Sequence, residues 1–254
     1  MGILNVTPDS FSDGGKHDGF EEALTHTSLM VSEGADIVDV GGESTRPGAT
    51  PVSEEDELAR ILPVVKAIAS PARRAVSIDT YKASVAKAAC DAGAVIVNDV
   101  TGMSDPGIAA AAAEAGAAYV LTYHRGEKDA DINVARDMPA FFEDAIKRCE
   151  ADGLAREHII LDPGVGFAKT YEQNFAALAG VDELVAMDLP VLIGVSRKSF
   201  IGKLYGAETD ERLTGSLAAA LDSVRRGAHM LRVHDVAAHR QAVKMWETIA
   251  NAAH

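Results

Sequence analysis

Asp79 ends the apolar run Val76-Ser77-Ile78, Asn98 ends Val95-Ile96-Val97, and Asp162 ends Ile159-Ile160-Leu161. Two carboxylates and an amide placed after buried strands form a surface rich in hydrogen-bond acceptors. Their natural complement is a planar ring with adjacent N–H donors beside a carbonyl, such as a 2-amino-4-oxo-pyrimidine edge. The alternative is an internal salt bridge supplied by Arg197 or Lys198, because an unpartnered buried carboxylate is costly. Arg232 and His234 stand two residues apart, which in a strand sends both side chains to one face. An Arg and a His before a helix N-terminus suit a phosphate or diphosphate; ion-paired surface residues are the alternative. Asn5, which ends Gly2-Ile3-Leu4, offers one side-chain oxygen to a hard cation such as Mg²⁺, with substrate oxygens and water completing an octahedron.

The elements that must position these groups recur along the chain. Short β-branched apolar runs alternate with Ala-, Glu- and Leu-rich amphipathic stretches, the pattern of parallel strands buried on both faces and wrapped by helices. Strands are predicted at 2–5, 36–40, 74–78, 95–98, 119–122, 158–161, 191–195 and 229–233. Helices are predicted to start near Phe20, Glu54, Lys82, Pro106, Pro139, Gln173, Glu211 and Val236. A length of 254 residues matches one (β/α)8 TIM barrel, read as a single α/β domain over residues 1–254. An open doubly wound sheet is the rival, but it usually has fewer strands and a phosphate loop after the first. In a barrel the loops after the strands carry the chemistry, and here each is polar. The first, from Asn5 to Gly15, holds Pro8, Phe11 and Asp13 and reads as a lid.

Composition narrows the partners. A formal net charge of −14 disfavours nucleic acid, so a small anion must be met by a local cationic cluster. No apolar run is long enough for a membrane span and no leader pattern opens the chain, so a cytoplasmic location is expected. Cys90 and Cys149 lie apart in helical stretches without metal-type spacing and read as reduced and structural. Nucleophile-elbow, phosphate-loop lysine and His-Glu-x-x-His patterns are absent from the sequence. Tyr123-His124-Arg125 offers an anion site or a structural edge, and Trp246 reads as packing.

Taken in order, these stretches resemble the dihydropteroate synthases across essentially the whole chain. The resemblance rests on 2–15 (GILNVTPDSFSDGG), on Gly41-Gly42-Glu43-Ser44-Thr45-Arg46-Pro47-Gly48, on Ser196-Arg197-Lys198-Ser199-Phe200-Ile201-Gly202 and on Arg232-Val233-His234-Asp235-Val236. It implies a Mg²⁺-dependent transferase of folate biosynthesis, condensing 6-hydroxymethyl-7,8-dihydropterin diphosphate with p-aminobenzoate, a homodimer and a sulfonamide target. It also implies that Asp79, Asn98, Asp162 and Lys198 hold the pterin, and that Asn5, Arg232 and His234 hold the diphosphate and metal. Thr45, Arg46, Pro47, Phe11, Phe167 and Ser199 would line the p-aminobenzoate site, with Asp13 in the ordered first loop. Two positions depart from the pattern: Thr122 stands where a methionine is usual, and Ala168 where a glycine is usual. A pterin-binding barrel handling methyltetrahydrofolate for a corrinoid partner is the alternative, but it has no need of Lys198 or of the Arg232/His234 pair. A non-catalytic paralogue would be expected to have lost one of Asn5, Asp79, Lys198 or Arg232.

Overall fold

Strands and helices alternate through the chain in a computed structural model that describes residues 1–7, 16–44, 50–69 and 74–252, side chains of 16–18 excepted. The strands are β1 (Gly2–Asn5), β2 (Ile37–Gly41), β3 (Ala75–Asp79), β4 (Ile96–Asp99), β5 (Ala118–Thr122), β6 (Ile159–Asp162), β7 (Leu192–Ile193) and β8 (Met230–Leu231). The helices are α1 (Lys16–Ser32), α2 (Glu54–Ile68), α3 (Ala83–Asp91), α4 (Ile108–Glu114), α5 (Val134–Ala151), α6 (Tyr171–Ala179), α7 (Val181–Val185), α8 (Ser199–Tyr205), α9 (Leu213–Arg225) and α10 (Val236–Asn251).

β1 to β6 pair in sequence order as one parallel sheet, and β7 pairs with β8. Parallel bridges Leu161↔Val191 and Gly2↔Val233 join the two sheets at both edges. The Leu161 amide donates to Pro190 O at 2.8 Å and the Ile3 amide to Val233 O at 3.0 Å, which closes the ring of the expected TIM barrel. The ladders of β7 and β8 are two residues long, shorter than the apolar runs that encode them.

Strand registers sort the side chains into two cores. Ile96, Val120, Ile160 and Leu192 form a buried cluster of their own, with Met1, Ile37, Ala118 and Met230 against it. Val120 is paired with both Asn98 and Ile160, so this cluster fills the barrel interior, and the residues two positions further along each strand continue the same face upward. The alternate set, including Leu4, Val38, Val40, Ile78, Val97, Leu121 and Leu161, packs outward against the helices. Burial of that outer set, at about 25 cal/mol per Å² of apolar surface, is what wraps the helices on the sheet.

Helix starts follow capping rather than the apolar pattern alone. Asn133 accepts from the Arg136 amide, so α5 begins five residues before Pro139, and Pro139 sits inside it. A proline there costs a helix a few kcal/mol. The buried stripe Met138, Phe141, Phe142, Ala145, Ile146 and Cys149 offsets that cost. Two short helices, α7 and α8, were not read from the sequence, since each spans under three turns and shows too little periodicity.

Candidate active site

Above the apolar interior lies a polar layer. Asp39, two residues beyond the inward Ile37, is fully buried; Asp79, Asn98 and Asp162 are nearly so. The Arg232 guanidinium reaches in from the end of β8 and joins them. Its Nε donates to Asp39 Oδ2 and its Nη2 to Asp79 Oδ2, both at 2.6 Å. Asn98 Nδ2 donates to the same Asp39 oxygen at 3.2 Å, which leaves the amide oxygen of Asn98 for other donors. Asp39 Oδ1 and Asp79 Oδ1 are buried with no hydrogen-bond partner. One guanidinium therefore serves two carboxylates, and each retains an unpaired acceptor.

Burial raises the Asp79 carboxyl above the ordinary range, against the pull of Arg232, and the neighbouring Asp39 adds to the rise. Burial also raises Asp162, opposed by Lys198 and by the Gly164 amide, which donates to Asp162 Oδ1 at 2.7 Å. Burial pushes the Lys198 ammonium down to about 8, with Asp162 resisting. Burial works against the charge of Arg232 as well, but Asp39 and Asp79 outweigh it and hold the guanidinium firmly protonated.

The loop after β6 is bent tightly around this layer. Gly164, Gly166 and Ala168 have φ of 64°, 87° and 43°, so alternate residues occupy the left-handed region. A Cβ on Gly166 would meet Lys198 Cδ at 2.8 Å. Ala168 accepts the same backbone with a side chain, at about 1 kcal/mol. The fold brings Lys198 Nζ to 4.1 Å from the centre of the Phe167 ring, and the ammonium donates to Val165 O. Buried Lys169 donates to Tyr123 O at 3.0 Å, Gly164 O at 2.8 Å and Phe167 O at 3.2 Å.

Around the rim, His234 shares a hydrogen bond between Nδ1 and Ser196 Oγ at 3.0 Å, and the same hydroxyl accepts from the His234 amide at 3.1 Å. α10 begins two residues later, so its N-terminal amides face the same end of the barrel. Arg197 is held by Asp235 through a two-pronged pair at 2.9 and 2.5 Å. At β2, Lys82 joins Glu43 and Glu57, both at 2.6 Å, and Val52 O at 2.7 Å.

The sequence expectations divide accordingly. Asp79, Asn98, Asp162, Lys198, Arg232, His234 and Phe167 gather at one end of the barrel. Ser199 is exposed at the first residue of α8, and Asn5 is exposed at the end of β1, its Oδ1 beside Gly41. Phe11, Asp13, Thr45, Arg46 and Pro47 lie outside the described residues. The internal salt bridge comes from Arg232, not from Arg197 or Lys198. Arg232 binds the carboxylates of Asp39 and Asp79 directly, so this cation and the acceptor-rich groups form one network. Arg125 and the Tyr123 hydroxyl both bind Asp137, so the segment after β5 is a structural edge there. Asp39 was missed, although its spacing from Ile37 on β2 signals an inward carboxylate; Ser196 and Lys169 carry no such signal.

The comparisons with known proteins agree with this geometry. The family model described as pterin binding enzyme matches residues 1–234. The dihydropteroate synthase of Escherichia coli (strain K12) is 45% identical over 258 residues, covering 99% of this chain and 92% of that protein. The Xanthomonas albilineans dihydropteroate synthase solved with 4-aminobenzoic acid superposes with a TM-score of 0.94 at 42% identity, covering 98% of this chain and 92% of that one. A Yersinia pestis dihydropteroate synthase in a sulfonamide drug complex gives a TM-score of 0.92 at 42% identity, covering 99% and 94%. A barrel whose mouth gathers buried carboxylates, an amide, a lysine and an arginine, with relatives alike over nearly their whole length, belongs to the pterin binding enzyme family, among its dihydropteroate synthases.

Proposed function

We propose that this chain, as one barrel domain over residues 1–254, transfers the pterinylmethyl group of 6-hydroxymethyl-7,8-dihydropterin diphosphate to p-aminobenzoate. The observation that carries the reading is the polar layer itself: unpaired buried acceptors on Asp39 and Asp79 beside Asn98 and Asp162. A 2-amino-4-oxo ring edge supplies the missing donors.

The exocyclic C–O bond to the diphosphate breaks and positive charge develops on the methylene, spread into the ring. The arylamine nitrogen then forms the new C–N bond, releases its proton to solvent and leaves pyrophosphate as the other product. Asp162 and Asp79 stabilise the cation by fixed, water-excluded charge. Arg232 commits two of its five N–H bonds to carboxylates, and the remaining ones, with His234 and the α10 amides, receive the diphosphate. Lys198 and Asp79 hold the ring, while Phe167 and Ser199 border the arylamine; the resemblance assigns Phe11, Thr45, Arg46 and Pro47 to the same subsite, which is also where a sulfonamide would bind. The same resemblance assigns Asp13 to the first loop.

A Mg²⁺ ion fits at Asn5 only as a cation carried in by the substrate. Asn5 presents one neutral oxygen, and no group of three His, Cys, Asp or Glu among the described residues could hold a metal. Bound there, Mg²⁺ would neutralise the departing diphosphate.

We also propose a homodimer. Phe175, Leu204 and Tyr205 are exposed around an apolar groove between α6, α8 and α9, and a second copy would cover it through a two-fold axis. A cytoplasmic location is part of this proposal, as expected for a reaction of folate biosynthesis. No described helix is long and apolar enough to cross a membrane.

The test is Asp162→Asn. With folding retained, kcat should fall by at least about tenfold, near 1.4 kcal/mol, because the developing cation loses its nearest charge. Wild-type turnover in that variant would remove Asp162 from the chemistry.

A further inference from the structure

Lys169 is a buried ammonium that the chemistry above does not use. Among the described residues no carboxylate lies within hydrogen-bonding distance of it; its hydrogen-bond partners there are the carbonyls of Tyr123, Gly164 and Phe167. The first lies directly after β5 and the other two in the loop after β6. Its Nζ also lies 4.5 Å from the centre of the Tyr123 ring. That loop has left-handed backbone at Gly164, Gly166 and Ala168; the glycines adopt it freely, but at Ala168 the side chain works against it, so the turn beside Phe167 needs outside support. The Phe167 amide donates to Gly164 O at 3.1 Å, and Lys169 gathers the same carbonyl together with that of Phe167. Phe167 is half-buried and stacked on the Lys198 ammonium. Burial pushes Lys169 down to about 7, with Asp162 resisting.

We propose that Lys169 is a positioning residue for the arylamine subsite: by tying the end of β5 to the loop after β6, it sets the Phe167 ring over Lys198. This rests on the functional reading above, in which Phe167 borders p-aminobenzoate.

The test is a double-mutant cycle between Lys169→Met and Phe167→Ala, with kcat and both KM values measured in each variant. Lys169→Met should raise KM for p-aminobenzoate by about tenfold, with KM for the pterin diphosphate changed less than about threefold. In the Phe167→Ala background the same replacement should add less than about twofold, because the ring it positions is gone. Hydrogen exchange at the Phe167 amide should quicken in Lys169→Met whether or not turnover is measurable. If Lys169→Met does not fold, Lys169→Arg, which keeps the charge but displaces it, enters the same cycle with the same readings. An unchanged KM for p-aminobenzoate, or an equal factor in both backgrounds, overturns the proposal. A folded wild-type protein that makes no dihydropteroate would instead fail the functional reading, and the exchange result would still judge the loop.

Discussion

Replacing Arg232 with Met removes the one cation shared by Asp39 and Asp79. Its side chain is 17% exposed against 0% and 8% for its partners, so little solvent screening softens the loss. Breaking a buried pair from one side costs about 3–5 kcal/mol. For a chain of this size each kcal/mol moves Tm by about 2–4 °C, so a fall of roughly 6–20 °C is expected at neutral pH. The loss should depend on pH in a defined sense. Without Arg232 the Asp79 carboxyl, already raised by burial, rises further above its unfolded value of about 3.9, so the folded variant binds more protons than the unfolded chain above that pH. Its stability then falls as pH rises, and more steeply than in the wild type, where Arg232 opposes the rise of Asp79. Thermal melts followed by circular dichroism at pH 5, 6.5 and 8 should show the deficit widening with pH. A deficit that is constant, or that narrows toward pH 8, would refute the reasoning that two uncompensated carboxylates carry the cost.

Three further outcomes follow, two at Lys198 and one at the apolar groove. Because burial holds Lys198 near 8, its charge is lost as pH rises through that value, and kcat/KM for the pterin diphosphate should decline above it. Lys198→Arg should move that alkaline limb upward, and a limb unmoved by the substitution assigns it to another group. The depressed lysine also makes the folded state bind fewer protons than the unfolded chain between about 8 and 10.4, so its contribution to stability rises through that window. For the apolar groove, Tyr205→Glu should shift sedimentation from dimer to monomer while a monomeric wild type would dispense with the dimer altogether.

Much of the barrel was legible because buried parallel strands write themselves as apolar β-branched runs, and a polar residue at the end of such a run has little reason to be there but the site. That logic found Asp79, Asn98 and Asp162. It overlooked Asp39, which lies mid-strand, where a carboxylate interrupts the apolar run and weakens the strand signal that points to it. Strand parity put Arg232 and His234 on one face, yet it could not show that Arg232 turns down to Asp39 and Asp79 while His234 meets Ser196. Partners contributed by strands distant in sequence are set by barrel closure, which no local pattern encodes. Lys169 was hidden for a related reason: its role lies in carbonyls that the loop's left-handed turns bring together.

The central claim is tested most directly by mixing the purified chain with 6-hydroxymethyl-7,8-dihydropterin diphosphate, p-aminobenzoate and Mg²⁺ and measuring both products. Dihydropteroate should appear together with pyrophosphate, and no dihydropteroate should form when p-aminobenzoate is replaced by benzoate. Folded protein that yields no dihydropteroate would contradict the account.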